Sequence, residues 1–154
     1  MNILHIIHGY PPVYNAGSEV YTQSLCTELS ERHQITVFSR EENPYEPDFT
    51  VRYKKETENL DFYFINMAQG KDGFRHAELD EKFHEVLKAV KPDVAHIGHL
   101  NHLSTGIVDE LNKEKIPIVF TLHDFWLMCP RGQFLKRNTD GNRVWELCEK
   151  QENQ

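Results

Sequence analysis

The 154-residue chain has the length of one domain with a sizeable core, since a fold of this size buries roughly 68–70% of its unfolded surface. Its 17 Lys and Arg against 24 Asp and Glu give a net charge of -7, which disfavours a nucleic-acid backbone as partner, and no basic cluster with interleaved aromatics offsets it. The first residues lack a basic n-region, no window approaches the ~20 apolar residues of a membrane span, and Cys26, Cys129 and Cys148 are too few and odd in number for a disulfide framework, so a soluble cytoplasmic protein is expected.

The apolar run Ile3, Leu4, Ile6, Ile7 predicts a buried strand that empties at His8-Gly9 into a loop. Pro11-Pro12 forbids helix directly afterwards, so this loop travels before it turns. Ala16-Gly17 are small enough for close backbone approach, and Ser18 is a good N-cap for a helix over 18–33 whose apolar face would be Tyr21, Leu25 and Leu29 with Val20 beside them. Strand, small-residue loop and helix N-terminus together describe an anion site suited to a phosphate, the alternative being a Gly17 that serves only the turn.

Ile35–Phe38 predicts the second strand, and the polar stretch 39–47 a surface loop. Phe49–Tyr53 and Phe62–Ile65 are further strands, while 66–74, with two glycines and no periodicity, is a candidate mobile segment. Leu79, Phe83, Val86, Leu87 and Val90 form a helical stripe that Pro92 ends. A strand follows at Asp93–Ile97, a helix near Ser104–Lys115 with Ile107, Val108 and Leu111 on one face, and a strand at Pro117–Leu122. Apolar strands alternating with helical stripes predict an α/β fold, a doubly wound and mostly parallel Rossmann-like sheet with helices on both faces. In such a sheet ligands sit beyond the carboxyl ends of the strands. The residues to inspect are therefore His8, Gly9 and Tyr10, then His99, Asn101 and His102, then His123, Asp124 and Trp126.

Pro11-Pro12, Ala16-Gly17-Ser18-Glu19, Pro92-Asp93-Val94 and Thr121-Leu-His-Asp-Phe-Trp126, in that order, resemble the N-terminal half of a family 4 retaining glycosyltransferase, a family with the GT-B fold of two facing Rossmann-like domains. The resemblance runs from the first strand to Cys-Pro-Arg-Gly-Gln at 129–133, and implies that 1–154 is an N-terminal, acceptor-side domain lacking the C-terminal domain that binds the donor. It implies transfer of a sugar from a nucleotide-sugar donor to the hydroxyl of a sugar or lipid-linked acceptor, with retention, no metal or other cofactor, and no turnover by this chain alone. Residue by residue, Ala16 and Gly17 match the loop that approaches the donor diphosphate, Ala16 standing where the family often has glycine, and His123 matches a catalytic histidine beside the transferred sugar. Tyr10, His99, Asn101 and His102 would line the acceptor side, and Glu19 would complement the helix dipole rather than act as a base. A peripheral contact at the inner face of the membrane stays open, because some relatives glycosylate lipids.

Other readings use the same residues. His96, His99 and His102, spaced by three, invite a metal, but strand alternation turns His96 away. Cys129 and Cys148 are ordinary thiols or part of a metal site completed beyond Gln154, and Phe125 with Trp126 are a sugar-stacking platform or interface packing. A nicotinamide domain would need G-x-G-x-x-G, for which Gly9 and Gly17 are too far apart, although Glu41 and Glu42 follow the second strand. A binding module without catalysis is the remaining alternative.

Overall fold

The computed structural model describes residues 1–68, 74–129, 132–137 and 145–147. The chain divides into two compact units, Met1–Thr121 and Leu122–Gln154. The first contains β1 (Asn2–Ile7), α1 (Gly17–Ser30), β2 (Gln34–Glu41), β3 (Val51–Lys55), β4 (Leu60–Asn66), α2 (Ala77–Val90), β5 (Val94–Ile97), α3 (Gly106–Lys113) and β6 (Ile118–Phe120). Its six strands lie in the order β3-β4-β2-β1-β5-β6. All neighbours are parallel except β3 and β4, so the expected doubly wound sheet is present with one antiparallel edge strand. Only residues 56–59 separate β3 from β4, too few for a crossover, and a hairpin is the pairing such a link permits.

The core lies on both faces. On one, Cys26 of α1 packs with Ile7, Ile35, Val37 and Phe62. Phe38, next along β2 from Val37 and therefore turned to the other face, meets Phe83 of α2 with ring centroids 4.9 Å apart. α3 packs beside α2, and closely: a Cβ at Gly106 would lie 2.0 Å from an Asp80 carboxylate oxygen.

Helix α1 differs from its sequence reading in start and in rotation. Ala16, not Ser18, is the capping residue, and it offers no side-chain bond. Ser18 lies inside the first turn and its hydroxyl donates to Glu19 Oε2 at 2.9 Å. The buried stripe is Glu19, Thr22 and Cys26, with Leu29 packed against the core, whereas Val20 and Tyr21 are 44% and 45% exposed. Both stripes have helical spacing. The one containing a carboxylate is turned inward because Glu19 finds an imidazole there, and Thr22 satisfies its hydroxyl on Ser18 O at 2.8 Å.

The loop after β2 is fastened at its centre by Asn66, and Asp48 Oδ1 accepts the Ala68 amide at 2.9 Å. Buried Asn66 accepts from the Asn43 amide at 2.8 Å and donates to the carbonyls of Asn43, Glu46 and Pro47 at 3.0, 2.9 and 3.1 Å. Residues 69–73 of the segment expected to be mobile lie outside the described residues. In the second unit β7 (Leu135–Arg137) pairs antiparallel with β8 (Trp145–Leu147), preceded by a turn in which Gly132 has φ +70° and its carbonyl accepts from the Phe125 amide at 2.9 Å.

Candidate functional site

From β1 the chain first adds strands on one side, through β2 to β4 and β3, and then returns to place β5 and β6 on the other side of β1. The carboxyl ends of β1 and β5 are thus the switch point, where an open α/β sheet leaves a crevice. His8 follows β1 and His99 follows β5, and their rings meet edge to face with centroids 4.8 Å apart. Gly98 makes this approach feasible. Its amide donates to Ile6 O at 2.8 Å, and a Cβ there would lie 3.0 Å from Ile7 Cδ1 and 3.4 Å from Thr22 Oγ1.

Above this pair stands the N-terminus of α1. His8 Nε2 lies 3.0 Å from Glu19 Oε1, and both side chains are largely enclosed. Burial, reinforced by His99 and opposed by Glu19, pushes the His8 pKa down to about 4, so the ring is neutral at pH 7. A neutral ring that donates from Nε2 to the carboxylate keeps Nδ1 as an acceptor, and Nδ1 is buried without a partner among the described residues. His99 Nδ1 accepts the Asn101 amide at 2.9 Å, which leaves Nε2 as the protonated nitrogen of its neutral form.

Arg40, at the end of β2, borders the same region. It pairs with Glu42 at 2.7 Å, reaches the Tyr14 hydroxyl at 3.4 Å and lies 5.5 Å from the Tyr14 ring centroid. Partial burial and the Arg40 charge also hold His102 below its ordinary pKa, and His102 adopts a left-handed backbone at φ 57°. Glu41, the last residue of β2, is taken up by Arg52, and Glu42 just after it by Arg40, so both are already ion-paired.

Gly17 is the first residue of α1, and nothing lies within 4 Å of where its Cβ would be. It is not in the left-handed region, so neither a turn nor close packing demands glycine there. Gly9 is the contrast, since its Cβ would lie 2.6 Å from Tyr14 Cγ. Ala16 and Gly17 are both exposed, and Gly17 lies in the same first turn of α1 as Glu19.

His99 and His102 are thereby gathered near His8, with Asn101 between them bonding His99. Tyr10 goes elsewhere. It is buried in the α1-side core, its ring 4.9 Å from that of Phe62, and burial raises its phenol pKa. His123 lies in the second unit, half-buried, near a turn where Asp124 Oδ1 accepts the Trp126 amide at 2.8 Å and Phe125 packs on Phe134 at 4.9 Å. His96 turns to Thr121, its Nε2 2.7 Å from Oγ1, and to the His5 ring. Among the described residues no group of three or more His, Cys, Asp and Glu is placed to hold a metal ion. Cys129 is buried, and Cys148 lies outside the described residues. The post-strand rule reaches His8 but misses Glu19 and Arg40, which enter the site from a helix interior and a strand end. An acidic residue in the first turn beside a post-strand histidine was the signal for Glu19.

The sequence profile of glycosyltransferase family 4 matches residues 15–151. The chain belongs to glycosyltransferase family 4. A relative, the uncharacterized 42.6 kDa protein in the cps region of Klebsiella pneumoniae, is 22% identical over 176 aligned positions that take in 97% of this chain and 45% of the relative. The family 4 chain thus spans less than half the length of that relative. Among its described residues no helix is long and apolar enough to cross a membrane.

Proposed function

We propose that this family 4 chain is the acceptor-side domain of a retaining glycosyltransferase that moves a sugar from a nucleotide-sugar donor to an acceptor hydroxyl. The reading rests on Gly17, a helix-initiating glycine with open space where a side chain would stand and no conformational reason to be glycine. The N–H groups of a first helical turn and the positive end of its dipole complement a diphosphate, and a bare backbone admits one closely. The Glu19 carboxylate does not block that approach, because it is buried and directed at His8. His8 and Glu19 are positioning residues here: their contact fixes the rotation of α1 and so the outlook of Ala16 and Gly17.

In this reading His99, Asn101 and His102 bind acceptor hydroxyls through the remaining polar edges of the loop after β5, and Tyr10 supports them from the core. His123 stands beside the transferred sugar, where an imidazole would bond a hydroxyl and help stabilise developing charge. The leaving diphosphate is stabilised by helix N–H groups, without a metal. The chain spans 45% of its relative's length, so the nucleotide site is assigned to a second domain and residues 1–154 assayed by themselves are expected to turn over no nucleotide sugar.

Amide NMR titration of this chain with inorganic pyrophosphate tests the phosphate site. Shifts at Gly17, Ser18 and Glu19 that saturate at millimolar ligand are expected, and an unresponsive α1 N-terminus would overturn the assignment. Nucleoside diphosphate release from nucleotide sugars by the chain alone would overturn the division of labour.

A further inference from the structure

A cavity of about 710 Å³ opens on the α1 side of the sheet, between α1 and the β3 edge, and runs from the loop after β1 and the end of β2 to Thr57 and Leu60. Its floor is Leu60, Phe62 and Phe64 of β4, and one end is closed by the loop holding Tyr14. Phe62 and Phe64 lie parallel, 1° between their planes and 5.4 Å between centroids. The Arg52 guanidinium lies 4.5 Å from the Phe64 centroid. This volume falls within the usual range for small-ligand sites.

The charges around the cavity restrict its occupant. Arg40, Arg52 and Lys54 are matched by Glu42, Glu41 and Glu56, each cation with its own carboxylate. A phosphate, nucleotide or acidic sugar would have to break one of these pairs and confront its carboxylate. An acyl chain would cover the paired charges without bonding them. A neutral sugar meets neither obstacle. Its C–H faces rest on aromatic rings, and its hydroxyls both donate and accept, as a rim of alternating guanidinium, ammonium and carboxylate groups requires.

We propose that this cavity is a binding subsite for a short neutral oligosaccharide, the part of the acceptor remote from the reacting hydroxyl. Its role in transfer rests on the acceptor-domain reading, but its sugar binding does not. Arg40 links the two places, since it lines the cavity and its charge also acts on His8 and His102 at the strand ends. An acceptor chain that presents its hydroxyl near His99 would run past Tyr14 and along Phe64 and Phe62 toward Thr57.

The test is binding of this chain to immobilised neutral gluco-, manno- and galacto-hexaoses, with uronic-acid hexaoses and decanoate as the competing chemistries. Binding of at least one neutral hexaose is expected, weakened about tenfold by Phe64→Ala and by Arg52→Ala. Arg52 is half exposed at the sheet edge, so its variant keeps the test meaningful if Phe64→Ala fails to fold. Arg52→Ala should leave the pyrophosphate shifts at Gly17 unchanged, which separates failure of the subsite from failure of the phosphate site. Absence of neutral-sugar binding, a preference for the acidic glycans or for decanoate, or binding indifferent to both substitutions would overturn the proposal.

Discussion

Replacing Gly17 with alanine separates a structural glycine from a ligand-facing one. In a helix interior glycine is worse than alanine by roughly 0.5–1 kcal/mol, and the first helical position recovers only part of that. Nothing lies within 4 Å of the added methyl and the backbone is not left-handed, so no steric cost offsets the gain. Gly17→Ala should therefore be neutral or stabilising by up to about 1 kcal/mol, a Tm rise of at most about 2–4 °C for a chain of this length. The same methyl stands where a diphosphate would approach, so the pyrophosphate shifts of Ser18 and Glu19 should weaken severalfold. Gly9→Ala is the control. Its methyl would lie 2.6 Å from Tyr14 Cγ, and displacing that ring should cost about 1–3 kcal/mol. Thermal unfolding of the two variants, with pyrophosphate titration of Gly17→Ala, decides the matter. Destabilisation of Gly17→Ala by more than about 1 kcal/mol would make the glycine structural and refute the reasoning. A stable variant with an undiminished pyrophosphate response would refute the ligand assignment instead.

Three other outcomes follow from the packing. His5 is buried beside His96, and burial first, then His96, lowers its pKa from 6.5 to about 4. The unfolded chain then binds more protons between those values, so stability is full above pH 6.5 and falls as pH drops toward 4. His5→Gln should reduce that slope by up to about 1.4 kcal/mol per pH unit, read from urea unfolding at pH 7 and pH 5; equal slopes would refute a neutral buried His5. Asn66→Ala removes one acceptor and a shared donor from four backbone groups, and should cost about 2–4 kcal/mol while accelerating hydrogen exchange at the Asn43 amide, whose protection would otherwise persist. Gly106→Ala drives a methyl into the Asp80 carboxylate, so Asp80→Ala should rescue it, with a coupling of about 1–3 kcal/mol in a double-mutant cycle; strict additivity would place the strain elsewhere.

The strand and helix order was legible because short strands buried on both faces, as in Ile35–Phe38, alternate with period-3.6 stripes, as in Leu79, Phe83, Val86, Leu87 of α2. What the pattern did not carry was the face of α1. Tyr21 and Leu25 are more apolar than Glu19 and Thr22, yet the stripe Glu19, Thr22, Cys26 is the buried one, with Leu29 at its end. Hydrophobic periodicity counts transfer free energy residue by residue and is blind to a partner supplied from outside the helix, here the His8 imidazole. Tyr10 shows the same limit. Its place after β1 suggested the crevice; its ring packs on Phe62 and Ile7 in the core while its edge lines the cavity beside β4. His99 and His102 were legible because the switch-point rule depends on topology alone.

The rotation of α1 connects these observations. Turning Glu19 inward takes its side chain off the solvent side of the helix start and leaves the space beside Gly17 open. The same turn puts Cys26 into the core, its thiol pKa pushed up to about 12 by burial, and leaves Gln23 and Thr27 as the wall of the cavity beside β4. Glu19→Leu would satisfy hydrophobic patterning but strand His8 without its carboxylate, and Glu19→Gln would keep the hydrogen bond without the charge. If the contact is what orients the helix, Glu19→Gln retains both the pyrophosphate shifts at Gly17 and the hexaose binding, whereas Glu19→Leu weakens both together. Loss of one response without the other in Glu19→Leu would mean that the two sites do not share the helix as their common positioning element.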